Sequence, residues 1–208
     1  VLKFKQYISE KIYNSHNMDY SVLMGEIVDA SKKLGTTSII YRGFSTSGAG
    51  GMMKVTNERE GFYGSLDDNA KQLLKQLGVK NPYFATRSKL KAGMFGSVYI
   101  LVPSGKFSAY QSKSHSDLLS GFRDTDDDIN TIAKTYQKTL KSVNDMEIIF
   151  DGKEYYLIDI GWVLNNIDRG NKFQKFTKDK INTYKDLYNA LKSIKSFYDW
   201  KEKQREKK

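Results

Sequence analysis

The chain has 208 residues, a net charge of +10 and no cysteine. That length carries one domain with a real core, and the missing cysteines exclude disulfides, thiol catalysis and thiolate metal sites. No apolar run approaches the ~18 residues of a bilayer crossing, and the opening VLKFKQYISE is too polar for a signal peptide, so the expectation is a soluble protein working in the cytoplasm.

Residues 3–14 read as a short helix with Phe4, Ile8 and Ile12 on one face. Asp19 caps a second helix running to about Lys33 and closed by Gly35. A short buried strand follows, ending at Arg42, and residues 45–64, rich in Gly, Ser and Thr, read as a loop. SLDDNAKQLLKQLG is a helix with a Ser or Asp cap and a Gly stop. PYFATRS is a strand end and turn, KLKAGMFG a short helix, and SVYILVP and KFSAYQS two strands. DTDDDINTIAKTYQKTLKS is a helix with acids in its first turn, where they favour the dipole. In MEIIFDGKEYYLIDIGWV an Asp-Gly pair between two β-rich runs predicts a hairpin. A lysine-rich helix closes the chain. Strands mixed with helices and hairpins predict an α+β fold rather than a regular βαβ alternation.

The charge is uneven. Residues 171–208 hold 12 Lys/Arg against 5 Asp/Glu, with Phe173, Phe176, Tyr184, Tyr188, Phe197, Tyr198 and Trp200 between them. Lysines interleaved with aromatics suit phosphates and stacked bases. The same segment carries Tyr184, Leu187, Tyr188, Leu191, Ile194 and Tyr198 at helical spacing, the pattern of a core face with solvated lysines behind it. The second reading is the stronger, and one helix can serve both.

Several chemistries fail on spacing. Gly43–Ser47 lacks the last glycine of a nucleophile elbow. Gly48, Gly50 and Gly51 miss the dinucleotide glycine pattern, and there is no Walker loop. His16 and His115 are too few for a histidine metal site, and the run Asp124, Asp126, Asp127, Asp128 lacks the glycine and distal glutamate of a calcium loop. No metal is expected, and the aspartate run reads as helix capping.

Three separated pieces fit one chemistry. IIYRGF puts an arginine at a strand end, in Tyr41-Arg42-Gly43; PYFATRSKLKAGMFGSVYILVP is strand, short helix and strand; DMEIIFDGKEYYLIDI opens a strand with Glu147 followed by three apolar residues. In this order they resemble the ADP-ribosyltransferase superfamily, in its arginine–serine–glutamate branch, over residues 36–162. The opening LKFKQYISE is similar to the N-termini of tailed-phage proteins, which implies a phage origin.

The resemblance implies a split mixed β-sheet core flanked by N-terminal helices and a C-terminal basic helix. It implies a single domain over 1–208, with a helical part at 1–35, an NAD-binding core at 36–162 and a basic segment at 163–208. NAD is the implied substrate. Its cleavage passes through an oxocarbenium-like ribosyl cation, which a carboxylate at the ribose stabilises; that role falls to Glu147. Arg42 would clamp the pyrophosphate with its guanidinium fork, Gly43 would let the backbone approach it, and Tyr41 belongs to the same motif.

The middle piece departs from the family's Ser-Thr-Ser. Ala85-Thr86-Arg87 keeps only the central Thr86, and a shift by one gives Thr86-Arg87-Ser88 with its outer hydroxyls. Tyr83 and Phe95 are the candidate rings over nicotinamide, with plain core packing as the alternative. Asp145, two positions before Glu147, is a candidate base for the acceptor nucleophile. The expected activity is mono-ADP-ribosyl transfer to a macromolecule, a host protein or RNA/DNA, in the host cytoplasm. An NAD glycohydrolase, or a non-enzymatic virion protein on a decayed transferase fold, is the alternative.

Overall fold

The computed structural model describes residues 10–14, 19–44, 51–57, 66–118, 122, 127–138, 146–170 and 181–206. They form seven strands, β1 (Glu10–Asn14), β2 (Tyr41–Phe44), β3 (Met52–Asn57), β4 (Pro82–Ala85), β5 (Ser97–Ser112), β6 (Tyr136–Gln137) and β7 (Ile148–Asp159). Six helices accompany them: α1 (Tyr20–Leu34), α2 (Asp68–Gln76), α3 (Lys89–Gly93), α4 (Ile129–Thr135), α5 (Ile160–Gly170) and α6 (Tyr184–Arg205). The fold is α+β, as the element pattern predicts.

The strands make one sheet, in the order β1-β3-β7-β5-β2, with β4 added to β7 and β6 to β5. Every pairing among the described strands is antiparallel, so the expected mixed sheet is corrected. One edge of β7 is divided between two partners. β3 takes Glu154–Ile158, and β4 takes Ile148–Asp151.

Local signals hold well. Asp19 accepts from Ser21 N–H at 2.7 Å, and Gly35 ends α1 with φ 62°. Asp67 caps α2, Ser88 caps α3 and Asp128 caps α4. Thr183 and Asp186 exchange the two hydrogen bonds of a capping box at the start of α6. Asp128 is the described part of the aspartate run that serves as a cap; Asp124 and Asp126 lie outside the described residues.

Non-local signals fail. Residues 10–14 are not helical but pair with β3, from Glu10↔Asn57 to Asn14↔Met53, so the N-terminal part is not wholly helical; residues 3–9 lie outside the described residues. Inside the expected loop 45–64, Met52–Asn57 form a strand between β1 and β7, with Met52, Met53 and Val55 buried. The strand expected to end at Arg42 continues to Phe44. The two strands expected on either side of Ser104-Gly105 are one. The register slips between Ser104 and Phe107, and Gly105 at φ 64° absorbs the extra residue as a bulge. The long helix expected from the aspartates ends at Thr135, and Tyr136 enters β6.

The Asp151-Gly152 hairpin is also overturned, because both residues lie inside β7. Asp151 accepts the N–H groups of Lys80 and Asn81, at 3.0 and 2.8 Å, and so fixes the chain entering β4. Gly152 makes room across the strands: a Cβ there would lie 3.1 Å from Phe107 Cβ and 3.3 Å from the Tyr83 hydroxyl.

Both faces of β7 are covered at its start, where the sequence runs apolar from Ile148 to Phe150. Ile148 and Phe150 join a core built with α1 and α6, while Ile149 joins a second cluster with Ala70, Leu73 and Leu74 of α2 and Ile132 of α4. Tyr184, Leu187, Ala190, Leu191 and Ile194 bury the inner face of α6 in the first core. Leu191→Asp is expected to cost several kcal/mol of stability and so lower the urea midpoint, since an unpaired charge is forced into an apolar site; an unchanged midpoint would show that α6 is not part of the cooperative core.

Candidate active site

Strand β4 brings the three sequence pieces to one corner. Tyr41 and Thr86 exchange backbone hydrogen bonds, Tyr41 N–H to Thr86 O at 2.7 Å and Thr86 N–H to Tyr41 O at 2.9 Å. On the other edge of β4, Ala85 stands opposite Ile148, the residue after Glu147. The start of β2, the Thr86 turn and the start of β7 thus lie side by side, although they are far apart in sequence.

Glu147 is held from two sides by one segment. Its N–H donates to Ser116 O at 2.8 Å, and its Oε1 accepts from Leu118 N–H at 2.9 Å. Gln111 Nε2 donates to the carbonyl of the preceding Met146 at 3.3 Å. The residue is half-buried, with its carboxyl engaged by the Leu118 N–H. Burial pushes that carboxyl up to about 8, the Leu118 hydrogen bond opposes the shift, and the Asp117 charge adds to it. At neutral pH it holds a proton, and a cation arriving beside it would favour the ionised form.

Backbones converge, but side chains part. Arg42 is 4% exposed and turned into the first core. Its guanidinium carbon lies 5.0 Å from the Tyr155 ring centroid, 5.8 Å from Phe44 and 6.0 Å from Tyr83, within cation–π range of each. Glu147 turns instead toward Leu118, a member of the second cluster. The guanidinium and the carboxyl thus face different layers.

Other candidates take local roles. Tyr83 is a core ring, 1% exposed and stacked on Phe150 and Tyr155 at 5.0 and 4.4 Å, which corrects the expectation of a free ring over nicotinamide. Burial raises its hydroxyl above the ordinary tyrosine range. Gly43 gives close approach to protein rather than to phosphate: a Cβ there would lie 2.0 Å from Ala92 O of α3. Thr86 Oγ1 accepts from Ser88 N–H, and Ser88 Oγ accepts from Lys91 N–H as the α3 cap. Phe95 is 58% exposed beside Gly43, next to the exposed Leu90 and Met94. Tyr41 is half-buried on the first core. Asp145 lies outside the described residues.

Sequence reasoning missed two neighbours of Glu147. Asp117 lies between the two residues that clasp it. Tyr136 sits opposite Ser112 on β6, and its hydroxyl is raised by burial and by the charges of Glu147 and Asp117. No motif marks either one; only the register of β5 with β6 and β7 brings them close.

Two grooves, of about 850 Å³ between α2 and α4 and about 670 Å³ against α3, have none of the sequence-predicted site residues in their linings. Along α6, Tyr198, expected on the core face, is exposed and donates its hydroxyl to Asn166 Oδ1 at 2.9 Å, and Trp200 is exposed with Phe197 stacked on it; Lys195 pairs with Asp199 at 2.7 Å. No helix among the described residues is long and apolar enough to cross a membrane. No protein-family model, curated protein or solved structure matches the chain.

Proposed function

We propose that the protein is a mono-ADP-ribosyltransferase that cleaves NAD and passes ADP-ribose to a macromolecular acceptor. One observation carries the reading: β4 joins Tyr41, next to Arg42 at the start of β2, on one edge to Ile148, next to Glu147 at the start of β7, on the other. Those are the pieces on which the resemblance rests. A carboxyl with a raised proton affinity is also the kind of group that functional sites collect.

In this reading the bond between ribose and nicotinamide breaks, and its electron pair leaves with nicotinamide. The ionised Glu147 stabilises the ribosyl cation until the acceptor attacks. The exposed Phe95 is the ring available to nicotinamide, and Tyr83 supports the core beneath. A direct pyrophosphate contact by Arg42 requires its guanidinium to leave the aromatic box, because the side chain is packed there. The exposed lysines and aromatics of α6 suit a nucleic acid, or a protein bound to one, as acceptor.

The test is to incubate the protein with NAD labelled in the adenylate half and a bacterial lysate, then separate protein, RNA and DNA. Label retained on one fraction, with nicotinamide released, is the expected result. Free ADP-ribose alone would make the protein a glycohydrolase. Neither NAD binding nor nicotinamide release would leave a non-catalytic domain.

A further inference from the structure

Helix α3 turns a small residue inward and its large ones out. Ala92 is 1% exposed, and its carbonyl stands so close to Gly43 of β2 that no side chain fits between them. Leu90 and Met94, four residues apart on the opposite face, are 84% and 78% exposed, the highest values for large apolar side chains among the described residues. Phe95 is exposed next to them. Single exposed apolar residues need no explanation, but neighbours on one helix turn form a patch. Beside it runs a groove of about 670 Å³, lined by Lys89, Leu90, Gly93, Met94 and Val98.

The surroundings of this patch are cationic. Lys89 and Lys91 of α3 are exposed. The strands on which α3 packs, β2 and β5, contain no acid, and the sequence has no Asp or Glu from Asn69 to Ser116. A second copy docked through the same face would set lysines against lysines. A nucleic acid would leave Leu90 and Met94 unused, because bases stack on planar side chains. An anionic bilayer surface suits both features at once: its headgroups attract the lysines, and its acyl boundary takes up aliphatic side chains.

We infer that the tip formed by α3 is a docking surface for an anionic lipid bilayer, with Leu90 and Met94 entering the acyl boundary and Lys89 and Lys91 meeting the headgroups. The contact lies on the membrane surface and involves no crossing helix. The groove, apolar along Leu90, Gly93, Met94 and Val98 with Lys89 in its lining, suits an acyl chain below an anionic headgroup. The inference goes beyond the transferase reading and stands apart from it, since neither Leu90 nor Met94 has a role there.

The experiment sediments the full chain with vesicles of phosphatidylcholine alone and of phosphatidylcholine mixed with phosphatidylglycerol. The wild type is expected to bind the mixed vesicles and not the neutral ones. Leu90→Gln with Met94→Gln keeps every charge and is expected to weaken that binding by about tenfold or more, the scale of aliphatic side chains left in water. Lys89→Gln with Lys91→Gln is expected to weaken it by about tenfold through lost headgroup attraction. These side chains are exposed, so melting temperatures should match the wild type; if the Leu90 and Met94 pair does not fold, Leu90→Gln alone answers the same question. Equal binding by the wild type and the Leu90 and Met94 variant overturns the inference, because the net charge of +10 would then suffice to hold the chain there. Equal binding to neutral and mixed vesicles also overturns it, by removing the charge complementarity. No binding of the wild type to either vesicle overturns it and leaves the patch to an acidic protein.

Discussion

Glu147→Gln is expected to be more stable than the wild-type protein above neutral pH, and to have lost its reaction. The carboxyl of Glu147 is pushed up to about 8 in the folded protein, chiefly by burial, against an ordinary value of 4.5. Between those values the folded state holds a proton that the unfolded chain has released. Wild-type stability therefore falls as pH rises, because a raised group gives full stability below its unfolded value and loses it through its folded one. Glutamine has no proton to lose, and its side-chain oxygen still accepts from Leu118. The variant's advantage should thus open from about pH 4.5, grow to about pH 8 and level off at a few kcal/mol. Urea denaturation at a series of pH values measures it. Parallel stability curves would mean that the carboxyl titrates normally and is not desolvated.

Gly43→Ala is expected to destabilise the domain by about 3 kcal/mol or more, the upper range for overpacking. The new Cβ would stand 2.0 Å from Ala92 O and 2.8 Å from Phe95 Cβ. Ala92 O cannot simply turn away, because it accepts from Phe95 N–H at 3.0 Å in the last turn of α3. Either β2 or α3 must move, and with them the corner that holds Tyr41 and Thr86. Gly25→Ala is the control. It lies on the exposed face of α1 with nothing within 4 Å of a built Cβ, so alanine there should add up to about 1 kcal/mol through helix propensity. Thermal unfolding of the two variants should shift in opposite directions. Equal and small shifts would show that α3 is not seated against Gly43.

How much of this was legible in the sequence follows the range of each interaction. Asp19 and Gly35 each act within one end of α1, so these caps could be read directly. The strands Glu10–Asn14 and Met52–Asn57 exist because they pair with each other and with β7, and nothing local announces that. Asp151-Gly152 carries a sound turn signal, yet the Asp side chain is taken by Lys80 and Asn81 and the glycine by the packing of Phe107 and Tyr83.

The site divides in the same way. The resemblance implies one site for Arg42, Thr86 and Glu147, and β4 pairs with Tyr41 on one edge and with Ile148 on the other. Which layer each side chain enters depends on register, so sequence could not show that Arg42 turns to Tyr155 while Glu147 turns to Leu118. Tyr83 was ambiguous between ring and core for the same reason, and Asp117 was invisible because its proximity to Glu147 is wholly tertiary.

The most direct measurement is nicotinamide released from NAD by equal amounts of folded wild-type and Glu147→Gln protein at pH 8.5, a pH chosen just above the folded value of about 8. Release by the wild type, with a fall of about 10²–10³-fold in the variant, is the predicted result, the usual cost of removing a preorganised electrostatic stabiliser. Equal release by the two proteins, or none by the wild type, would contradict it.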